Sequence, residues 1–281
     1  MRFTAGSAEL VLAPEMGGAV VSWTIAGRPI FRDANPAATV SREHACYPLV
    51  PFSNRVGGRA FSFNGARYTL PALIGEWAIH GAGWQCAWQL AGDMMTLDYP
   101  GGELWPFAFQ ASQRFELAAD SLTVTMRLTN RHHDVAPAAI GLHPFFHRDA
   151  DSALQTSAGS VWLAGQDQVP THAAAVPAEW DFSTTRAIAD AAIDHCFSGW
   201  SGEALLTWPE RHEFVRIVAT SPLQHLVLYV PRGQNFIAIE PVSNMTDGLN
   251  HMNTNDDHGM AVLAPGWSLE GSITMTMEAL T

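Results

Sequence analysis

Glu240 is the first candidate for proton-transfer chemistry, because an apolar segment leads up to it and Pro241 follows it. The segment 235–239 has the composition of a β-strand. Since proline cannot donate to a strand ladder, we predict that the strand ends at the carboxylate. Partial removal from water raises the pKa of such a carboxylate toward that of a useful general base. The alternative is an edge-strand glutamate that faces water.

His143 is the second candidate, because it is a titratable ring that lies between an apolar run and Pro144. Imidazole is the side chain best suited to transfer a proton near neutral pH. His143 and His147 also have the spacing of metal ligands on a helix. Pro144 argues against a helix, however, and no third ligand stands at a recognisable spacing. The sequence therefore predicts proton transfer at His143 and no metal site.

Four further polar residues stand beside apolar runs or glycines, where a β core does not require them. They are Asn54, Arg55, His80 and Asp194. The five donors of a guanidinium suit hydroxyl oxygens, and the glycines that flank His80 would let a ligand come close. Each also has a structural alternative: an arginine in a surface loop, a histidine bonded to a carbonyl at the core edge, or an aspartate in a turn or cap.

Composition and charge exclude several functional classes. The 281 residues are 47% hydrophobic and 15% charged, with a formal net charge of -12, so we expect neither disorder nor a nucleic-acid partner. All 15 basic residues are arginines, which excludes a Schiff-base lysine and a phosphate-loop lysine. The three cysteines are far apart and predict neither a disulfide framework nor a zinc motif. We find no signal-peptide pattern and no membrane-length apolar run, and therefore expect a cytoplasmic protein with no membrane partner.

The segments that must position these side chains are predicted to be β-strands. Strand patterns occur at residues 8–12, 19–25, 61–63, 66–70, 84–90, 94–99, 107–117, 122–129, 160–163, 204–208, 213–219, 225–230, 235–239, 260–263 and 273–277. Asn64-Gly65 is the strongest hairpin signal. Helical periodicity is nearly absent, and only 187–192 could form one or two turns. We therefore predict an all-β fold, a single antiparallel domain over residues 1–281 arranged as a sandwich or barrel.

Five short motifs occur in a recognisable order along this all-β background. They are Asn-Arg at 54–55, His-Gly at 80–81, His-Pro-x-Phe at 143–146, Asp-x-Cys-Phe at 194–197 and Glu-Pro at 240–241. In this order the chain resembles the aldose 1-epimerase (galactose mutarotase) family over nearly its whole length. The resemblance implies the family's fold, a large antiparallel β-sandwich with a sugar cleft on one concave sheet.

The resemblance also implies roles for the candidate residues. By match of motif, Glu240 is the general base, His143 is the general acid, His80, Arg55 and Asp194 hold the sugar and polarise its ring oxygen, and Asn54 occupies the family position beside the arginine. Ring opening and closing of an aldose needs one base and one acid, and no metal, nucleotide cofactor or covalent intermediate. The expected partner is a small sugar, and the protein is expected to be a monomer or a homodimer. Trp84 or Phe145 could present an apolar face to the sugar.

Departures from the best-studied mutarotases leave the substrate open. Val242 follows the Glu-Pro pair where those enzymes carry Gln, Asp247 has no preceding proline, and Ala82 replaces a second adjacent glycine. One alternative is a hexose 6-phosphate mutarotase, which needs clustered arginines such as Arg59 and Arg67 near the cleft. A second alternative is a sugar-binding module without turnover. A third is glycoside cleavage by two carboxylates, Glu240 and Asp194.

Overall fold

The computed structural model describes residues 1–33, 35–165 and 167–280, most of which form or connect β-strands. In chain order the strands are β1 (Arg2–Ala5), β2 (Ala8–Ala13), β3 (Ala19–Ile25), β4 (Arg28–Pro29), β5 (Cys46–Leu49), β6 (Arg55–Val56), β7 (Ala60–Phe63), β8 (Ala66–Thr69), β9 (Ala78–Ile79), β10 (Gln89–Ala91), β11 (Met94–Tyr99), β12 (Phe109–Leu117), β13 (Ser121–Asn130), β14 (Ala136–Ala138), β15 (Gly141–His147), β16 (Ala153–Thr156), β17 (Ser160–Ala164), β18 (Pro170–Ala174), β19 (Arg186–Ala187), β20 (Ile193–Ser198), β21 (Glu203–Trp208), β22 (Glu213–Ala219), β23 (His225–Val230), β24 (Phe236–Val242), β25 (Ala261–Leu263) and β26 (Ser268–Ala279). Helical structure is confined, within these ranges, to α1 (Gly248–His251) and to single 3₁₀ turns at Ser41–Glu43, Gly57–Arg59, Gly83–Gln85, Ala178–Trp180 and Pro209–Arg211.

Two large antiparallel sheets account for most of these strands. The larger sheet has the order β1-β2-β3-β5-β15-β24-β23-β20-β17-β18, with β4 paired to β3. The smaller sheet has the order β10-β11-β12-β13-β26-β22-β21-β16-β19. The Asn64-Gly65 hairpin joins β7 and β8 as predicted, with positive φ at both turn residues.

The inner faces of the two sheets share one hydrophobic core. Leu142, Ile237 and Leu228 contribute to it from the larger sheet, and Val124 and Ile217 from the smaller. Successive side chains on a strand point to opposite faces, so this alternation determines which residues are left for the outer face. The predicted all-β antiparallel sandwich is therefore confirmed.

The outer face of the larger sheet has a second apolar cluster of its own. Tyr47, Phe145, Ala238 and Val227 belong to this cluster, which also includes Ile79 from outside the sheet. The loops between β5 and β10, and those around α1, contribute the residues that cover this face. The covered outer face is where the polar candidates of the sequence converge.

Two local predictions outside the site are wrong. Residues 84–90 do not form one strand, because the buried indoles of Trp84 and Trp88 donate to the carbonyls of Ile79 and Gly83 and hold this segment as a 3₁₀ turn and loop. Residues 187–192 are not helical, because the buried Ile188 donates its N–H to Ser152, so the segment follows the neighbouring strand. No helix within the described ranges is long and apolar enough to cross a membrane.

Candidate active site

Glu240 and His143 are brought together by the pairing of two central strands. β24 pairs with β15 in a register that places Val242 opposite Gly141 and Ala238 opposite Phe145. The same register sets Glu240 opposite His143, on one face of the sheet, where directly opposed side chains are neighbours. Nε2 of His143 lies 3.3 Å from Oε1 of Glu240.

The strand that carries Glu240 does not end at the carboxylate, so that prediction is wrong. β24 continues through Pro241 to Val242, and both residues pair with β23. Pairing with β15 is instead interrupted over 142–144 and 239–241, the stretch that contains Pro144 and Pro241. Proline is tolerated in a strand where the hydrogen bonds to the neighbouring strand are interrupted. β24 therefore continues in the sheet beyond Glu240.

Burial sets the protonation behaviour of this pair. Glu240 is 2% exposed and His143 is 6% exposed. Burial raises the pKa of Glu240 well above its usual range, and the nearby charge of Asp194 raises it further. Burial lowers the pKa of His143 well below its usual range, with His80 and Arg32 acting in the same direction. Oε2 of Glu240 and Nδ1 of His143 are buried atoms with no hydrogen-bond partner among the described residues, so the protein alone does not satisfy either side chain.

His80 and Asn54 form a mutually bonded pair of unusual backbone geometry. Their φ angles are 64° and 59°, and the N–H of His80 donates to the carbonyl of Asn54 at 3.0 Å. The N–H of Asn54 in turn donates to Nδ1 of His80 at 3.1 Å. The neutral ring therefore carries its proton on Nε2, which is a donor that can face the cavity. The adjacent Gly81 is required because a Cβ there would lie 2.2 Å from the carbonyl oxygen of Val50.

Buried His80 makes the stability of the protein depend on pH. Burial, reinforced by Arg55, lowers the pKa of His80 to about 3. Between pH 3 and 6.5 the unfolded chain takes up a proton here and the folded chain does not, so stability falls as pH falls. We expect His80→Asn, which keeps an acceptor and tolerates positive φ, to reduce the loss of unfolding free energy between pH 7 and pH 5 by about 2 kcal/mol. Denaturant unfolding at both pH values measures this difference.

His212→Asn is the matched control, because His212 is exposed and also has a positive φ, of 54°. It should leave the pH dependence of unfolding unchanged. A His80→Asn variant with the same pH dependence as the wild type would contradict the assignment of a neutral, buried His80.

Arg55 links the remaining candidates. Its Nη1 donates to Oδ1 of Asn54 at 3.2 Å and its Nη2 donates to Oδ2 of Asp194 at 3.2 Å. The guanidinium also lies over the ring of Trp77, 5.8 Å from the centroid. The two-sided contact fixes the planar group, since a guanidinium donates from a rigid fork. All six residues that the sequence singled out line one cavity on the outer face of the larger sheet.

The chain is similar to known proteins over nearly its whole length. The family model for aldose 1-epimerase matches residues 1–276. The chain belongs to the aldose 1-epimerase family. The uncharacterised protein YphB of Escherichia coli K12 is 28% identical in an alignment of 280 positions that covers 95% of this chain and 94% of YphB. The crystal structure of a candidate aldose 1-epimerase from Escherichia coli K12 has a TM-score of 0.90 and 27% identity, covering 99% of this chain and 98% of that one.

A crystal structure of a galactose mutarotase-like protein from Clostridium acetobutylicum has the same fold, with a TM-score of 0.86 at 20% identity and coverage of 99% of this chain and 94% of that one. The predicted galactose mutarotase-like sandwich is thus confirmed for this member of the aldose 1-epimerase family.

The cavity of this aldose 1-epimerase family member also contains residues that the sequence did not single out. Besides the six candidates, its lining includes Arg32, Arg42, Tyr47, Trp77, Tyr229 and Phe236. Tyr47 stacks on His143 with ring centroids 4.6 Å apart, because the two residues are cross-strand neighbours on β5 and β15. Burial raises the pKa of the Tyr47 hydroxyl well above its usual range. All four residues of β5 are buried and show no polar and apolar alternation, so only the pairing of β5 with β15 identifies Tyr47 as the neighbour of His143.

The aromatic residues at the cavity differ from those that the sequence suggested as an apolar face for the sugar. Trp84 is buried beneath the cavity and does not line it. Phe145 does line the cavity, but the guanidinium of Arg32 lies over its ring at 3.6 Å from the centroid. The other aromatic residues of the lining are Tyr47, Trp77, Tyr229 and Phe236, and Arg32 also lies over the ring of Phe236.

The residues that the sequence assigned to two of the alternatives do not serve them in this geometry. Arg59 and Arg67 are exposed and do not line the cavity, so they form no phosphate site there. Asp194 is paired with Arg55, which leaves no second unpaired carboxylate opposite Glu240 in the described lining. Within the residues described, no group of three or more His, Cys, Asp and Glu side chains could hold a metal ion.

Proposed function

We propose that the protein is an aldose 1-epimerase that interconverts the α and β anomers of an aldose. The observation that carries this proposal is the buried contact between Glu240 and His143 at the cavity wall, with an unpartnered atom on each side chain. A carboxylate and an imidazole in contact are the base and acid that anomer exchange needs. The family to which the chain belongs supports the same chemistry.

The proposed reaction opens and recloses the sugar ring. Glu240 removes the proton of the C1 hydroxyl while His143 protonates the ring oxygen O5, and the C1–O5 bond breaks to leave a free aldehyde. Rotation about C1–C2 exposes the other face of the carbonyl. O5 then attacks C1 from that face, His143 takes back its proton and Glu240 returns the other. Each proton transfer contributes about 10²–10⁴-fold to the rate.

The shifted pKa values suit this cycle. Burial raises the pKa of Glu240 and lowers that of His143, so the two groups compete for a single proton and titrate as a pair. The one-proton state of the pair has two tautomers, one with the proton on Glu240 and one with the proton on His143. The tautomer with the proton on His143 is the reactive one. Each group regains its starting protonation state at the end of the cycle, so the pair needs no proton exchange with solvent before the next sugar binds.

Arg55, His80 and Asp194 are proposed to hold the sugar. Arg55 is fixed by Asn54 and Asp194 and lines the cavity, where its guanidinium can donate to a sugar oxygen. His80 offers its Nε2 proton from the same wall of the cavity. Asp194 supplies an acceptor for a hydroxyl. In this proposal Asn54 orients Arg55 and His80 and contacts the sugar less than they do.

The test is acceleration of anomer exchange by the wild-type protein above the spontaneous rate. Polarimetry of freshly dissolved α-glucose and α-galactose, and magnetisation exchange between the anomeric protons of glucose 6-phosphate, cover neutral and phosphorylated aldoses. We expect acceleration of at least one. If no sugar is accelerated while calorimetry shows one to bind, the protein is a sugar-binding module and the proposal is wrong.

A further inference from the structure

The cavity is basic although the chain is acidic. The formal net charge of the protein is -12. The charged residues of the cavity lining are three arginines, Arg32, Arg42 and Arg55, and two carboxylates, Asp194 and Glu240. Asp194 neutralises Arg55, and Glu240 carries no more than one negative charge. A concave site of opposite sign to its protein concentrates ligands of negative charge.

The side chain of Arg32 is held in place by backbone carbonyls of the following loop and by two aromatic rings. Its Nε donates to the carbonyl of His44 at 3.1 Å, and its Nη2 donates to the carbonyl of Arg42 at 2.6 Å. Its guanidinium lies over the rings of Phe145 and Phe236, at 3.6 Å and 5.0 Å from their centroids. Burial lowers the pKa of Arg32 to about 10, so it remains charged at neutral pH.

Neither Arg32 nor Arg42 has a carboxylate partner within residues 1–33, 35–165 and 167–280. The salt bridges among the described residues all involve other side chains. Nη1 of Arg32 makes no hydrogen bond to the described residues, and neither does the exposed side chain of Arg42. A half-buried, immobilised cation without a counterion has capacity for charge-assisted bonds to an anion.

The two arginine groups lie at opposite ends of the cavity. One row across the sheet runs from Phe145 to Ala238, Tyr229 and Asp194. Arg32 covers the first residue of this row and Arg55 binds the last. Three strand spacings separate these ends, on the order of 14 Å. His143 and Glu240 lie on the two strands at the Arg32 end of this row, two residues away along each strand, and a sugar ring at this pair can reach an arginine on either side.

The covalent structure of the sugar ring determines which part of the sugar lies near Arg32. The ring oxygen O5 and the exocyclic carbon C6 are both bonded to C5, so the acid that serves O5 lies close to the C6 substituent. His143 is that acid in the proposed mechanism. Its ring is 4.4 Å from the ring of Phe145, on which Arg32 lies. The C6 substituent is therefore the part of the sugar that meets Arg32.

We infer that the substrate is an aldose that carries an anionic group, a carboxylate or a phosphate, at C6, and that Arg32 and Arg42 bind this group. The inference rests on the proposed function, because it takes the orientation of the sugar from the roles of Glu240 and His143. It does not use Arg59 or Arg67, which lie outside the cavity.

The test compares glucose, glucuronate and glucose 6-phosphate as substrates of the wild type, Arg42→Gln and Arg67→Gln. Exchange between anomeric protons, measured by magnetisation transfer, gives kcat/KM for each sugar. We expect the wild type to prefer an anionic sugar, and Arg42→Gln to lower kcat/KM on that sugar roughly 10- to 100-fold with little change on glucose. The exposed Arg67 makes the same change of charge outside the cavity, so Arg67→Gln should behave as the wild type. A preference for glucuronate or for glucose 6-phosphate distinguishes the carboxylate from the phosphate.

Arg32→Lys tests the second cation without removing its charge. The planar fork that bonds to two carbonyls is lost, so kcat/KM on the anionic sugar should fall while glucose is less affected. Turnover of glucose as fast as of both anionic sugars, with Arg42→Gln altering all three equally, would overturn this inference and leave the proposed function standing. No turnover of any sugar would contradict the proposed function. Calorimetry would then test the anion site by itself: binding of glucuronate or glucose 6-phosphate that weakens in Arg42→Gln supports the site, and absence of binding overturns the inference.

Discussion

Glu240→Gln is expected to slow anomer exchange by more than ~100-fold, since general-base catalysis contributes about 10²–10⁴-fold. Glutamine has the shape of glutamate and can still accept a hydrogen bond, but it cannot take a proton from the C1 hydroxyl. The loss should appear in kcat on the best substrate of the wild type. Sugar binding, measured by calorimetry, should change much less, because the holding residues remain in place.

The Glu240→Gln variant should fold as well as the wild type. The carboxylate is buried and its pKa is raised, which means that its ionised form is disfavoured in the folded protein. A neutral amide removes this cost, so the thermal midpoint at pH 7 should not fall. Glu270→Gln, the same substitution at a surface salt bridge, is the matched control and should keep full activity. Wild-type activity in Glu240→Gln would show that another group is the base.

His143→Gln is expected to lower kcat by ~100-fold or more, because O5 then has no acid to protonate it as the ring opens. Its pH profile should also change shape. In the wild type the one-proton state of the pair is reactive, so kcat/KM falls on both sides of the range in which that state exists. Without His143, residual activity needs only ionised Glu240. The rate should therefore fall as pH drops through the raised pKa of Glu240 and should no longer fall at high pH.

His225→Gln is the matched control for this substitution. His225 is also buried, at 1% exposure, but its Nε2 bonds to the carbonyl of Asp257 and it does not line the cavity. A bell-shaped profile and near-normal activity are expected there. A bell-shaped profile that persists in His143→Gln would show that the second titrating group lies elsewhere.

Local patterns in the sequence determined most of the strands. β3, β22 and β23 have the predicted bounds, because alternation of side chains between a core and an outer face is a property of each strand by itself. The Asn64-Gly65 turn was predictable for the same reason, since positive φ at both positions is a local preference. Where the prediction is wrong, a distant contact overrides the local pattern, as the buried Trp84 does when it bonds to Ile79.

The sequence also indicated six candidate residues, through short motifs of the right residue types. It did not show how far apart they would lie. His143 and Glu240 are 97 positions apart, and their contact of 3.3 Å depends on the register between β15 and β24. Arg55, on β6, and Asp194, on β20, meet across 139 positions.

Only the tertiary structure decided that Arg32 and Tyr229 face the same cavity, and that Pro241 lies within a strand and does not end one. Arg32 had no motif to mark it, since its position depends on carbonyls of the following loop and on the rings of Phe145 and Phe236. The physical reason is common to these cases. Which face a side chain occupies follows from its neighbours in sequence, whereas what it meets there follows from strand order and register, which are set by pairing between distant segments.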